Sequence, residues 1–210
     1  MIQTSDTGVK EFFENSFNDS ILSESRRTLL VKIADALREN YLANHHQAAL
    51  HFICTHNSRR SQLGQVWAFF AARYFQLNIA SYSGGTEVTA FHRNTVKTLK
   101  EVGFSFCVQE VSHQNPVYQI SYKGTEDILL GFSKIFDHPE NKAPYIAITT
   151  CDNADENCPY IAYATERFHL PYTDPKKADG TLQQENAYRE TSKIIASEIY
   201  FIFDLVARQL

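Results

Sequence analysis

The sequence has no apolar run of the roughly 18 residues that a transmembrane helix needs. Its first residues, Met1 to Lys10, also lack the basic segment followed by an apolar one that marks an export signal. These two absences argue against a transmembrane helix and an export signal, and they indicate no membrane partner. We therefore expect a cytoplasmic protein.

A surplus of positive charge is missing as well. The 210 residues contain 20 lysines and arginines against 24 aspartates and glutamates, which gives a net charge of −4. Proteins that bind nucleic acid over a broad surface are usually basic, so no nucleic-acid partner is expected. A composition of 43% hydrophobic and 21% charged residues is typical of a globular protein with one substantial core.

Cysteine is scarce, and its spacing does not suit zinc. Cys151 and Cys158 are seven residues apart, with neither a second cysteine pair nor a suitably spaced histidine, so no metal site is predicted. In a reducing cytosol such a pair favours redox chemistry over a structural disulfide. Cys107 lies among apolar residues of a predicted strand and is interpreted as a small core residue.

The stretch from His51 to Trp67 carries the strongest chemical signal. A short apolar run of strand character leads into a polar turn, which opens into a long helical pattern. The turn begins at Cys54 and, after five intervening residues, reaches Arg60 and Ser61. Backbone N–H groups at a helix N-terminus bind oxyanions, and an arginine fork can grip two oxygens at once. The residues predicted to bind the oxyanion are Thr55, His56, Asn57, Ser58, Arg59 and Arg60.

The same positive field acts on Cys54. Hydrogen-bond donors and positive charge favour the thiolate, which is the reactive form of cysteine. Ser61, beside the arginine, can donate a further hydrogen bond to the sulfur. The pattern therefore predicts a sulfur nucleophile that faces a bound tetrahedral oxyanion. The alternative is a buried strand-end cysteine with an incidental surface arginine.

Strands and helices alternate along most of the chain, which predicts a parallel sheet with helices on both faces. The expected fold class is α/β, with three layers (α/β/α) around a central, mostly parallel sheet. Ligand sites in such sheets lie beyond the carboxyl ends of the strands, so Cys54, Cys151 and Asp174, each just after a predicted strand, can share one edge. Strands are predicted over 49–53, 79–83, 104–108, 116–122, 143–150 and 166–170, and helices over 62–75, 93–102, 126–136 and 183–208.

The first 45 or so residues have a different pattern. Apolar residues from Leu22 to Tyr41 repeat with a period of about 3.6, which predicts an amphipathic helix. We expect residues 1–45 to form an N-terminal helical extension that packs on a body formed by residues 46–210.

Cys54, Arg60 and Ser61 follow a strand at the spacing Cys-x5-Arg-Ser, which resembles the signature loop of the low-molecular-weight protein tyrosine phosphatase superfamily. Cys151 and Cys158 are similar to the two cysteines that the thioredoxin-coupled arsenate reductases of that superfamily add to the loop. The resemblance implies a phosphatase-like catalytic domain over 46–210 and reduction of arsenate to arsenite. It also implies arsenate or a phosphate-like oxyanion as ligand, thioredoxin as external reductant, no tightly bound cofactor, and a monomer or weak dimer.

The resemblance further implies a role for each thiol. Cys54 attacks the arsenic, and Asp174 protonates the departing oxygen. Cys151 attacks the adduct, which releases arsenite and leaves a Cys54–Cys151 disulfide, and Cys158 then attacks Cys151. A fully helical segment would separate the last two cysteines by about 10 Å along its axis. Because a disulfide needs Cα atoms roughly 4.4–6.8 Å apart, the segment has to bend or unwind during turnover.

Some positions depart from the pattern of these relatives. His56 replaces a glycine that many of them carry, so strain in its backbone is expected. Arg59 replaces a small residue, and we assign no catalytic role to its charge. Gln65 stands where some reductases have a glutamate that helps hold potassium, which again predicts no bound metal. Lys176 and Lys177 follow Asp-Pro where the phosphatases usually have tyrosines, which favours the reductases.

Two other functions stay open. The first is a phosphotyrosine phosphatase that uses Cys54, Arg60 and Asp174 through a phosphocysteine intermediate. The second is a non-enzymatic protein that binds phosphate or responds to arsenic and contacts a partner through its N-terminal helix. Asp174 itself can be a general acid or merely the start of a turn before proline.

Overall fold

A parallel sheet forms the centre of the part of the chain that the computed structural model describes, which comprises residues 8–157 and 160–210. A second, smaller sheet is antiparallel. The strands are β1 (Ala48–Cys54), β2 (Ile79–Gly85), β3 (Phe104–Glu110), β4 (Val117–Tyr122), β5 (Leu129–Gly131), β6 (Tyr145–Thr149) and β7 (Ala164–His169); the helices are α1 (Val9–Asn18), α2 (Glu24–Ala43), α3 (Arg60–Tyr74), α4 (Arg93–Glu101), α5 (Asp152–Asn157) and α6 (Gln184–Arg208), and a 3₁₀-helix covers Pro175–Ala178.

The central sheet has the strand order β2-β1-β6-β7, and all of its pairings are parallel. Strand β1 lies in the interior of this sheet because it is apolar on both faces, with Leu50 and Phe52 on one and Ala49 and Ile53 on the other. The predicted α/β fold with a central parallel sheet is confirmed. Because the strands run in one direction, their carboxyl ends, including Cys54, meet at one edge.

Long helices cover one face of this sheet, and short segments close the other. Helices α3 and α6 pack on the face that carries Leu50 and Phe52. Helix α5, together with Ile161 and Phe136, closes the opposite face. Neither the 25-residue α6 nor any other helix among the described residues combines the length and the apolar character needed to cross a membrane.

The N-terminal helices α1 and α2 share the main core. The hydroxyl of Ser23 caps α2 by accepting the N–H of Arg26 at 3.2 Å. Phe13 is fully buried and stacks on Trp67 of α3, with ring centroids 5.7 Å apart. Arg26 donates two hydrogen bonds to Glu198 of α6, at 2.6 and 2.9 Å. The extension is therefore joined to α3 by aromatic packing and to α6 by a partly buried ion pair.

The helix predicted over 126–136 is wrong. Residues Leu129–Gly131 form β5, which pairs antiparallel with β4. A Cβ atom at Gly131 would lie 2.5 Å from Cδ1 of the buried Ile120, so a larger residue here would have to displace that side chain. Pairing within the small sheet thus overrides the local apolar spacing that suggested a helix.

The interpretation of Cys107 as a core residue is also wrong, because its side chain is exposed. The order β3-β4-β5 makes β3 an edge strand. Successive side chains of a strand point to opposite faces, so Phe104 enters the core whereas Cys107 falls on the uncovered face. An apolar run identifies a strand but does not say which of its faces is covered.

Candidate active site

Cys54 is the last residue of β1 and is buried at the carboxyl edge of the sheet. Its Sγ lies 3.0 Å from Ser61 Oγ, in the first turn of α3. Asn57 Nδ2 donates to the same oxygen at 2.9 Å, which leaves the Ser61 hydroxyl proton free to point at the sulfur. A donor aimed at sulfur favours the thiolate. The structure thus brings the predicted nucleophile and its serine into contact.

The carbonyl groups of the loop between β1 and α3 are turned outward. Each of four successive carbonyl oxygens accepts a hydrogen bond from outside the loop or from the helix that follows it. When successive carbonyls point out of such a loop, the N–H groups can converge on its interior and form an anion-binding concavity. The contacts are Glu87 N to Thr55 O, Thr89 Oγ1 and Ser133 Oγ to His56 O, Gln62 Nε2 to Asn57 O, and His92 N to Ser58 O.

The backbone strain expected at His56 lies at Asn57, whose φ is 46°. Asparagine is one of the few residues with a side chain that enter this left-handed region readily. The Asn57 side chain is fully buried, and its Oδ1 accepts the N–H of Lys134 at 2.9 Å. The imidazole of His56 is partly exposed, with Nε2 3.3 Å from Glu87. Asn57 therefore supplies both the turn and a bond to the serine beside the sulfur.

Arg60 connects the loop to the segment that contains Asp174. Its Nη2 donates to Asp174 Oδ2 at 2.7 Å, and its Nη1 donates to the carbonyl oxygen of Tyr172 at 3.0 Å. The Nε–H of Arg60 is buried and has no acceptor among the described residues. A buried donor of a charged group is costly when unpaired, so this N–H is available to an acceptor from a ligand.

Arg59 precedes Arg60 but turns its side chain elsewhere. Its Nε donates to Tyr188 Oη at 2.8 Å, and its Nη2 lies 3.4 Å from Asp179 Oδ2. The side chain is only 11% exposed. Its guanidinium is therefore engaged with α6 and with the end of the 3₁₀-helix, while its backbone N–H belongs to the loop.

Cys151 follows β6 and lies beside the loop. The N–H and the hydroxyl of Thr150 both donate to Ile53 O, at 2.7 and 3.0 Å, which aligns the residues that precede the two cysteines. Thr55 Oγ1 lies 3.5 Å from Cys151 Sγ. Cys151 is 5% exposed and shares an apolar cluster with Cys54. Both thiols therefore lie at one edge of the sheet.

Helix α5, which follows this second thiol, is held to β7 by side chains. Arg167 donates to Asp155 Oδ1 at 2.5 Å, and His169 Nε2 lies 3.1 Å from Asp152 Oδ1. Burial would raise the pKa of Asp155, but hydrogen bonds from Thr149 and Arg167 outweigh it and lower the pKa. Two polar contacts thus anchor α5 to the edge of the central sheet.

The remaining predictions concern Cys158 and the metal. Cys158 lies outside the described residues. The Gln65 carboxamide is engaged by Ser83 Oγ, at 2.5 Å, and by the carbonyl of Ser81, at 3.2 Å. In the described part of the chain, no three His, Cys, Asp or Glu side chains cluster as metal ligands would. The absence of a bound metal stays a prediction.

Three contributors to the site were not predicted from the sequence: the Tyr172 carbonyl, Asp179 and Tyr188. Asn57 was predicted to bind the oxyanion but not to shape the turn or to bond Ser61. Its tolerance of positive φ was the only local signal.

Ser61→Ala is expected to slow the alkylation of Cys54 by iodoacetamide at pH 7 by about ten-fold. The sulfur would lose its nearest donor, and a hydrogen bond to a charged group is worth about 1.5 kcal/mol or more. The measurement is the rate of labelling of the peptide that contains Cys54. Ser58→Ala is the matched control, since Ser58 Oγ donates to Ala90 O at 2.6 Å. Equal labelling rates for the two variants would show that Ser61 does not act on the sulfur.

Sequence comparison relates the chain to arsenate reductases. No family model matches it. It is 30% identical over 139 residues to the arsenate reductase of Bacillus subtilis, a match that covers 66% of this chain and 82% of that protein. The arsenate reductase of Halalkalibacterium halodurans is 28% identical over 136 residues, covering 65% of this chain and 80% of the relative.

Structure comparison relates the fold to a phosphatase. The crystal structure of the low-molecular-weight protein tyrosine phosphatase from T. tengcongensis superposes with a TM-score of 0.51 and 16% identity. The match covers 78% of this chain and 100% of that one. This likeness concerns the fold alone and agrees with the parallel sheet described above.

Proposed function

This chain belongs to the arsenate reductase family, and from that premise we propose that it reduces arsenate to arsenite through a relay of three thiols. Cys54 is the nucleophile, Cys151 and Cys158 are the resolving thiols, and thioredoxin is the external reductant. The observation that carries the proposal is the burial of Cys151 beside the loop, 3.5 Å from the hydroxyl of Thr55, which follows the nucleophile. Hydrolysis of a phosphate ester has no use for a second thiol there.

The loop suits arsenate, which is tetrahedral and isosteric with phosphate. The outward carbonyls leave the N–H groups of residues 55–60 to converge on an oxyanion. The orphaned Nε–H of Arg60 would gain an acceptor when the anion binds. Binding therefore satisfies the donor that the described residues leave unpaired.

In the first step, the Cys54 thiolate attacks arsenic and forms a sulfur–arsenic bond. One arsenate oxygen leaves as water, with a proton supplied by Asp174. The contact between Asp174 and Arg60, at 2.7 Å, keeps this acid beside the arginine that binds the oxyanion. The arsenic remains As(V) in the adduct.

In the second step, the Cys151 thiolate attacks the sulfur of Cys54. The new disulfide forms as the sulfur–arsenic bond breaks, and the bonding pair stays on arsenic, which leaves as As(III) arsenite. Cys158 then attacks Cys151 and frees the Cys54 thiolate, and the two thiols of thioredoxin reduce the remaining disulfide. Such a relay needs thiols that start reduced, which is consistent with the cytosol.

The test is a coupled assay with thioredoxin, thioredoxin reductase and NADPH. We expect NADPH oxidation to begin when arsenate is added, and Cys54→Ser to abolish it. One equivalent of arsenite per reduced chain should also form without thioredoxin. Arsenite formation without NADPH oxidation would reject thioredoxin as the reductant but leave arsenate reduction standing. Hydrolysis of p-nitrophenyl phosphate with no arsenite formation would replace the proposal with a phosphatase.

A further inference from the structure

Asp174 and Asp179 stand at the two ends of the 3₁₀-helix. Asp174 Oδ1 accepts the N–H of Lys176 at 3.0 Å and caps the first end. Asp179 follows the last residue of the helix, and its N–H donates to Lys176 O at 3.0 Å. The segment that carries the proposed acid is thus a short hydrogen-bonded unit with a carboxylate at each end.

Two consecutive arginines of the loop hold this unit, one at each end. Arg60 binds Asp174 at 2.7 Å, and Arg59 lies 3.4 Å from Asp179. The second contact is reinforced by Tyr188, whose hydroxyl donates to Asp179 Oδ1 at 2.9 Å and accepts from Arg59 Nε at 2.8 Å. Burial raises the pKa of Tyr188, so its hydroxyl stays a donor across the neutral range.

Arg59 and Arg60 differ in the groups that their side chains have to contact once the oxyanion is bound. A planar fork that grips two oxygens of an oxyanion commits two N–H directions. Arg60 already donates one hydrogen bond from Nη1 to Tyr172 O and one from Nη2 to Asp174. When the oxyanion binds, this one guanidinium therefore has to serve the anion, through its Nε–H and its remaining N–H groups, as well as the Asp174 segment. Arg59 has no such second task, because its side chain contacts Tyr188 and Asp179.

We propose that Arg59 is a positioning residue, which holds the Asp174 segment against the loop through Asp179 and Tyr188 while Arg60 binds the oxyanion. This inference rests on the proposed function, since it assigns a task within the same reaction. A residue at a variable position of the Cys-x5-Arg-Ser pattern thereby fixes the position of the acid. The neighbouring Asn94, whose Nδ2 donates to Asp179 Oδ1 at 3.3 Å, extends the anchor to α4.

The first test compares Arg59→Met, Asp179→Asn and Tyr188→Phe with Glu185→Gln. Glu185 also joins α6 to α4, through Lys97, but is not among the contacts of the Asp174 segment described above. In single-turnover reduction of arsenate, each of the three variants is expected to lower the rate of arsenite release by about ten-fold, because a displaced acid donates its proton poorly. The arsenate concentration at half-maximal rate should change less than about two-fold. A loss confined to arsenate affinity would overturn the inference, as would a loss equal to that of Glu185→Gln.

A double-mutant comparison separates positioning from general stability. If Arg59 acts through the acid, Arg59→Met should have almost no further effect in the Asp174→Asn background. A further ten-fold or so loss in that background would show that Arg59 acts independently of Asp174.

Hydrogen exchange gives a readout that does not depend on turnover. With saturating inorganic phosphate as the probe, amides of residues 174–181 should exchange faster in Arg59→Met than in the unsubstituted chain. Equal exchange rates in Arg59→Met and the unsubstituted chain would overturn the inference, whether or not the protein forms arsenite. Faster exchange in Arg59→Met together with no arsenite formation by the unsubstituted chain would reject only the proposed function. Tyr188→Phe repeats the measurement with a smaller structural change.

Discussion

Cys151→Ser is expected to reduce steady-state arsenate reduction by at least about a thousand-fold. The serine oxygen cannot attack sulfur to form a disulfide, so the reaction stops at the adduct between Cys54 and arsenic. The geometry makes this a local effect, because Cys151 is buried beside Thr55 and shares an apolar cluster with Cys54. Replacing one sulfur by oxygen leaves that packing almost unchanged.

Counting free thiols by mass spectrometry checks where the reaction stops. After arsenate treatment without thioredoxin, the unsubstituted chain should fall from four alkylatable cysteines to two, since one disulfide consumes two of them. Cys151→Ser should form no disulfide. Cys107→Ser is the matched control, because Cys107 lies exposed on the edge strand, and its arsenite release should stay within about two-fold. Arsenite release at an undiminished rate from Cys151→Ser would reject the relay.

Arg60→Lys is expected to lower kcat/KM for arsenate by about 10²–10³-fold. An ammonium is a single compact charge, so it cannot both bind two oxygens of the anion and keep a contact to Asp174. The same change should weaken competitive inhibition by inorganic phosphate, which shares the tetrahedral geometry. Loss of the Arg60 Nε–H removes a buried donor that has no acceptor in the described part of the chain.

The control for this substitution is Arg73→Lys. Arg73 belongs to the same helix, but it pairs at 2.8 Å with the exposed Asp127 on the surface. Exposed ion pairs contribute at most about 1 kcal/mol, so kcat/KM should change by less than about two-fold. Similar losses of kcat/KM in Arg60→Lys and Arg73→Lys would mean that Arg60 affects the stability of the protein and does not bind the substrate.

The parts of the site that the sequence predicted are those that lie close together in the chain. Cys54, Arg60 and Ser61 fall within eight residues, and the loop between a strand and a helix can form in only a few ways. Cys151 was predicted to lie near Cys54 because the carboxyl ends of parallel strands meet at one edge of the sheet. The central parallel sheet followed from the alternation of apolar strands with helical patterns.

The parts that the sequence missed depend on contacts between distant residues. Tyr188 lies 129 positions from Arg59, and nothing in either neighbourhood indicates that the two side chains meet. The segment 126–136 has apolar residues at helical spacing, yet its partner strand decides its conformation. Cys107 has a strand pattern around it, but only the packing of the sheet against the rest of the fold determines which face is covered. Local periodicity carries no information of this kind.

Trp67 is the single tryptophan of the chain. It is fully buried in α3, stacks on Phe12 and Phe13 of α1, and donates its indole N–H to Ser192 of α6 at 3.0 Å. This single tryptophan therefore lies where α1, α3 and α6 meet. The emission wavelength of the unlabelled protein consequently reports, in real time, whether α1 is docked.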